Sequence, residues 1–206
     1  MVDLPLSAFL RERHKSALER VPAGWLGLLA ELAAVQDAAA VARPSPSSAA
    51  AAGELLARAK GVLGAAEVPD DEQIFGRLMQ RPGRGQTLSP PLYATSWTTE
   101  ELCGHVTFGS FYKGSHGAVF GGAVAMFLDD ALGLVANMNE QREHARTASL
   151  TIEYRSVTPV GKRLDLQVRV VEVEGRKRWL CGVLSDGGRV CAEANGLWIA
   201  PRPQSP

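Results

Sequence analysis

Cysteine is scarce: Cys103, Cys181 and Cys191 are the only three in 206 residues. An odd set, without a CxxC pair or a Cys/His spacing suited to zinc, excludes a disulfide framework and a structural zinc site. Free thiols in a reducing compartment are expected, with Cys181 and Cys191 in strand-like runs as small buried hydrophobes. Net charge is missing as well, because 22 Lys and Arg balance 22 Asp and Glu. With the two signs interspersed there is no basic footprint for nucleic acid. The first residues, MVDLPLSAFLRERHKSALE, lack a signal-peptide pattern, and charges interrupt every apolar stretch short of membrane-spanning length. The expectation is a cytoplasmic chain with no membrane and no nucleic-acid partner.

Two regions of different composition are present. Residues 5–35 are rich in Leu, Ala, Glu and Arg, with apolar recurrence at Leu18, Trp25, Leu29 and Leu32, which predicts helix broken near Pro22-Ala23-Gly24. Pro44-Ser45-Pro46 marks a turn before AAAAGELLARAKGVLGAA, a second strong helix former. Proline and glycine crowd residues 69–93, where one short helix is expected at 71–79. These features assign residues 1–90 to a helical extension with a Pro/Gly-rich connector and residues 91–206 to the compact domain. The extension either packs on that domain or forms a mobile arm.

In the second region, residues 101–113 are compatible with one strand or two short ones, and a helix is expected at about 122–137. Strand-like runs follow at 147–157, 163–175, 176–186 and 189–200. Leu164, Leu166, Val168 and Val170 alternate with Asp165, Gln167 and Arg169, the mark of a sheet with one covered face. Gly187-Gly188 suits a tight hairpin. Strand, helix and antiparallel meander together predict an α+β domain in which the apolar helix covers the sheet.

That helix carries the chemistry. GAVFGGAVAMFLDD, residues 117–130, opens on Gly121-Gly122 and ends on Asp129-Asp130. Backbone N–H groups at a helix start are unpaired and suit an anionic oxygen. Glycine also lets a ligand approach the backbone closely, or lets the helix dock tightly on strands. At about 100° per residue, Gly122, Met126, Asp129 and Gly133 share one face, while Asp130 turns toward Phe127. An acid there either forms a salt bridge or cap, or acts on a substrate. The rise of about 1.5 Å per residue separates Gly122 from Asp129 by about 10 Å. If both serve one carbonyl, they must come from two chains.

The pattern resembles the hotdog-fold acyl-CoA thioesterases, in particular their phenylacetate-pathway branch. There a His-Gly-Gly opens the central helix and an acid follows nine positions after the histidine. Here Phe120-Gly121-Gly122 occupies that place and Asp129 stands nine beyond Phe120. Thr147 to Tyr154, then Pro159 and Gly161, resemble the family's next strand and closing turn. The resemblance spans residues 95–200. It implies a hotdog fold, with an antiparallel sheet wrapped around a long central helix. It also implies a homodimer, alone or paired into a dimer of dimers, that hydrolyses an acyl-CoA without metal or cofactor. On this reading Gly121 and Gly122 stabilise the oxyanion and Asp129 is base or nucleophile, with Thr147 as its partner. Phe120, His116, Met126 and Asp130 lie near the substrate. Arg155, Arg176, Lys177 and Arg178 either meet CoA phosphates or are solvated, and Phe111 and Tyr112 line the acyl channel or belong to the core. Phe120 in the histidine's place keeps open a noncatalytic thioester-binding protein.

Overall fold

The computed structural model describes residues 3–202. Four helices, α1 (Ala8–Arg20), α2 (Trp25–Val41), α3 (Pro46–Gly64) and α4 (Gly121–Ala136), accompany six strands. The strands are β1 (Tyr93–Trp97), β2 (Glu101–Thr107), β3 (Arg146–Tyr154), β4 (Arg163–Glu174), β5 (Lys177–Asp186) and β6 (Arg189–Ile199). They form one antiparallel sheet in the order β1-β2-β4-β5-β6-β3, so β1 and β3 are its edges. The meander β4-β5-β6 follows from its turns: Gly175-Arg176 and Gly187-Gly188 are two-residue connections between paired strand ends.

One face of this sheet is covered. Leu164, Leu166 and Val168 of β4 are buried while Asp165, Gln167 and Arg169 are exposed, as alternation predicts. α4 lies on that face and buries Val124, Phe127, Leu128, Ala131, Leu132 and Val135. The approach is close enough that a Cβ on Gly182 of β5 would meet the Leu132 side chain at 2.7 Å. The opposite stripe of α4, Gly122, Met126, Asp129, Asp130 and Gly133, is covered by much less.

The region before β1 divides in two. Leu4, Leu6 and Leu10 join the core beside Met79. The Gln80 amide fixes the Leu4 backbone through both its N–H (2.8 Å) and its carbonyl (3.1 Å). α2 lies against the turn at Ser110–Tyr112 along one side and α3 projects: only Leu29 of α2 is buried, no residue of α3 is, and Leu26, Leu32, Leu55, Leu56 and Val62 are exposed. The helix expected at 71–79 does not form. Only a 3-10 turn at Asp70–Glu72 is helical, because Gly76 takes a positive φ of 73° and its N–H bonds across to the Gly85 carbonyl at 3.3 Å. Cys191 is buried as expected, but Cys181 is half-exposed, its sulfur accepting from Arg169 Nε at 3.2 Å on the outer face. Among the described residues no single helix is long and apolar enough to cross a membrane.

Candidate active site

α4 begins where Phe120, still extended (φ −58°, ψ 128°), gives way to Gly121. The Phe120 N–H donates to the Tyr112 carbonyl (2.8 Å), and the Phe120 carbonyl accepts from Ala123 (2.9 Å) and Val124 (3.3 Å). The Gly121 and Gly122 N–H groups have no backbone acceptor among the described residues and point away from the helix body at its positive end. Tyr154 donates its hydroxyl to the Gly121 carbonyl at 2.7 Å, tying this end of the helix to β3. The Phe120 ring folds back over Gly122, where a Cβ would meet it at 2.5 Å, yet the residue is 62% exposed.

Two turns on, the acids part company. Asp129 accepts the Thr147 hydroxyl of β3 at 2.9 Å. Asp130 forms an ion pair with Arg84 from the loop before β1. Burial pushes the Asp130 carboxyl above its ordinary range, Arg84 pulls it down, and neighbouring Asp129 pushes it up. Both acids line a cavity of 250 Å³ together with Arg84, His144, Arg146 and Thr147. Burial, then the nearby Arg146, Arg13 and Arg178, lowers the His144 pKa.

A larger cleft of 540 Å³ lies between α2 and the turn at Ser110–Tyr112. Leu26, Leu29, Ala33, Pro91, Phe111 and Tyr112 give it an apolar lining. Asp37 of α2 closes one side by accepting the Phe111 N–H at 2.7 Å. The Tyr112 hydroxyl is pushed up to about 12, by burial first and by Asp37 second.

The structure thus brings Asp129 to Thr147 and sets Gly121, Gly122 and Phe120 together at the helix start. Met126 lies between them on the open stripe. His116 is exposed in a left-handed turn (φ 54°), apart from the acid pair. The basic residues all have partners within the chain. Arg178 is buried, and its two terminal nitrogens donate to the Ala136 (2.6 Å) and Glu143 (2.7 Å) carbonyls, so it holds the end of α4 and is closed to a phosphate. Arg176 donates to the Ala200 carbonyl at 2.6 Å. Lys177 pairs with Glu174 at 3.5 Å and lies over the Trp179 ring. Arg155 is paired with both Glu153 and Glu193. Arg84 and Tyr154 went unnoticed in the sequence. Glycine on both sides of Arg84 signals a turn, but nothing local points it at Asp130.

Residues 116–192 match the model of the thioesterase superfamily. The sequence resembles no curated protein at a significant level. Among solved structures, a thioesterase superfamily protein with 25% identity matches 85% of this chain and 94% of its own, with a TM-score of 0.71. That coverage runs well into the helical region before β1. A Streptococcus mutans protein, solved bound to acetyl CoA, has 16% identity over 53% of this chain and 88% of its own, with a TM-score of 0.50. Zebra fish thioesterase superfamily member 2 has 12% identity over 53% of this chain and 81% of its own, also with a TM-score of 0.50. By its fold and by the sequence of residues 116–192, the chain is similar to members of the thioesterase superfamily.

Proposed function

We propose that the protein hydrolyses an acyl-CoA thioester to the free acid and CoA, in a site built between two copies of the chain. The observation that carries this reading is the placing of both candidate groups along one open side. Gly121 is tied to Tyr154 and Asp129 to Thr147, and both partners belong to β3, an edge strand with no neighbour on its outer side among the described residues. An edge strand with unpaired backbone and a helix stripe of small residues on the same side favour an isologous dimer. A two-fold axis there sets the Gly121-Gly122 end of one α4 against Asp129 of the partner subunit. This removes the separation of about 10 Å that keeps the two groups apart within one chain.

In such a site the Gly121 and Gly122 N–H groups receive the negative charge that develops on the thioester oxygen. Asp129 takes a proton from water, whose oxygen adds to the carbonyl carbon. The tetrahedral intermediate then collapses with cleavage of the C–S bond, and the CoA thiolate takes up the proton. Asp129 as direct nucleophile gives the same products by way of an anhydride. Thr147 fixes the carboxylate in either case. The apolar cleft beside Tyr112 receives the acyl portion, supported by the hydrogen bond that joins Tyr112 to Phe120 at the helix start. The relative bound to acetyl CoA supports a CoA ester as the ligand class. The Gly-Gly start and the acid nine residues after Phe120 favour the phenylacetate-pathway branch.

Phe120 favours a second reading, a noncatalytic acyl-CoA-binding protein, since its ring lies against Gly122 where a polar group would otherwise stand. Thiol release from short, long and aromatic acyl-CoAs separates the two. Hydrolysis by the wild type and its loss by about 10²–10⁴-fold in Asp129→Asn supports the enzyme. Equal inertness of both proteins with retained acyl-CoA binding supports the binding protein. Sedimentation showing a monomer at assay concentration removes the shared site.

A further inference from the structure

The region before β1 contributes a side chain to the acid pair, and the way it does so assigns that region a role. Gly83 (φ 67°), Arg84 (φ 54°) and Gly85 (φ 71°) are three consecutive residues in the left-handed region. Glycine adopts this conformation freely, whereas an arginine there is disfavoured and persists only where its surroundings hold it. Here they do. The Arg84 N–H donates to the Arg81 carbonyl (2.9 Å), and the Arg84 carbonyl accepts the Leu78 N–H (3.0 Å). Gly76 and Gly85 are joined by their backbones, and Leu78, 1% exposed, packs so tightly on Gly85 that a Cβ there would meet it at 2.7 Å. Through Gln80 the same loop is anchored to Leu4. The outcome of this scaffolding is one ion pair, Arg84 with Asp130, next to the residue argued to be the base.

We propose that Arg84 is a positioning residue, fixing Asp130 and offsetting its charge so that the adjacent Asp129 is left free to act. The proposal rests on the thioesterase reading for Asp129, but its electrostatic content does not need turnover. Adjacent carboxylates in a partly buried site repel, and a cation beside one of them relieves that repulsion. The other charged or titratable groups facing the pair are Arg146 and His144 in the shared cavity and Arg81 in the adjoining one. None of these three forms an ion pair with Asp129 or Asp130 among the described residues. The extension is therefore part of the active apparatus: α1 and the loop at 76–86 are anchored on the domain to deliver a single guanidinium.

The test uses the full chain as wild type, Arg84→Gln, Arg84→Lys, Asp130→Asn and the double variant Arg84→Gln/Asp130→Asn. In Arg84→Gln the acidic limb of the kcat/KM profile moves up by about 1 pH unit or more. In the double variant it returns toward the wild-type position, because the repelling charge is gone. Arg84→Lys lies between wild type and Arg84→Gln. Asp130→Asn alone, which preserves shape, moves the limb down. A profile of unchanged shape in Arg84→Gln, merely lowered in height, overturns the proposal, and so does failure of Asp130→Asn to reverse the shift. Titration of ¹³C-labelled aspartate carboxyls by NMR reads the same shifts without catalysis. If the wild type hydrolyses nothing, the thioesterase reading fails. The positioning role then stands or falls on whether a carboxyl moves up in Arg84→Gln and back in the double variant.

Discussion

Replacing Arg178 by Met separates a structural role from a ligand-binding one. The side chain is 3% exposed and donates to the carbonyls of Ala136 at 2.6 Å and Glu143 at 2.7 Å. Ala136 is the last residue of α4, so its carbonyl is one of the orphan acceptors at the negative end of the helix. Hydrogen bonds from a charged donor contribute about 1.5–3 kcal/mol each. Desolvation of the guanidinium offsets part of that, and burial, followed by nearby Arg142, lowers its pKa. Met roughly keeps the volume, loses both bonds and strands the buried Ala136 carbonyl, for a net cost of about 3 kcal/mol. With a urea m-value of roughly 2–3 kcal/mol/M, the unfolding midpoint falls by about 1 M. Arg178→Lys keeps the charge and loses the two-pronged geometry, so about half of that shift is expected. Urea titration followed by tryptophan fluorescence at fixed protein concentration measures both variants. The buried Trp198, packed beneath Gly133 of α4, is a suitable reporter. An unchanged midpoint in Arg178→Met, with the loss confined to affinity for CoA, would refute the assignment and restore Arg178 as a phosphate ligand.

Thr147→Val removes the hydroxyl that Asp129 accepts at an exposed position, so stability changes by less than about 0.5 kcal/mol. Acyl-CoA hydrolysis drops by about tenfold, the value of one bond to a carboxylate, and a steady-state assay with a thermal melt reads both effects. Gly122→Ala displaces the exposed Phe120 ring and leaves the helix as stable or up to about 1 kcal/mol more so. Its methyl obstructs the oxyanion position, so hydrolysis falls by up to about 10²-fold, and an undiminished rate in this variant would remove the helix start from the mechanism. His14 and His144 both have their pKa lowered from the ordinary 6.5, each by burial first. Below pH 6.5 the unfolded chain therefore binds more protons than the folded one. Their contribution to stability is fully present above that pH and is lost as pH falls through the folded values. The urea midpoint should decline from pH 7.5 to 5.5, and His14→Phe/His144→Leu should flatten the decline.

Much of the fold was legible because it is local. The alternation Leu164-Leu166-Val168 against Asp165-Gln167-Arg169 carries the face of β4, and Gly187-Gly188 carries the turn of the β5-β6 hairpin. The break at Pro22-Ala23-Gly24 separates α1 from α2. What escaped was decided at long range. β1 sits among prolines and is made a strand by pairing Tyr93 with His105 across the sheet edge. The sequence 71–79 has helical composition, but Gly76 and the cross-connection to Gly85 turn it into a loop that anchors Arg84.

The same division runs through the site. Helical spacing alone puts Gly122, Met126, Asp129 and Gly133 on one face, and in the structure that face is the open stripe of α4. Spacing also separates Asp129 from Asp130, but it does not say what each one meets. Thr147 meets Asp129 because β3 returns beside the helix, and Arg84 meets Asp130 because a loop 46 positions earlier is wedged against the core. The basic run 176–178 shows the complementary limit: a charged triplet next to a turn contains one residue, Arg178, whose partners are carbonyls at α4's buried end. The dimer proposal has two independent supports of this kind. One is a distance, the roughly 10 Å of helix that keeps a helix-start donor from a carboxylate seven residues on. The other is a surface, the unpaired edge of β3 beside the thinly covered stripe of α4. A monomer would leave both unresolved, with an oxyanion site lacking a base and a base lacking an oxyanion site on the same exposed side. On the proposed reading, one two-fold axis through that side supplies each with the other.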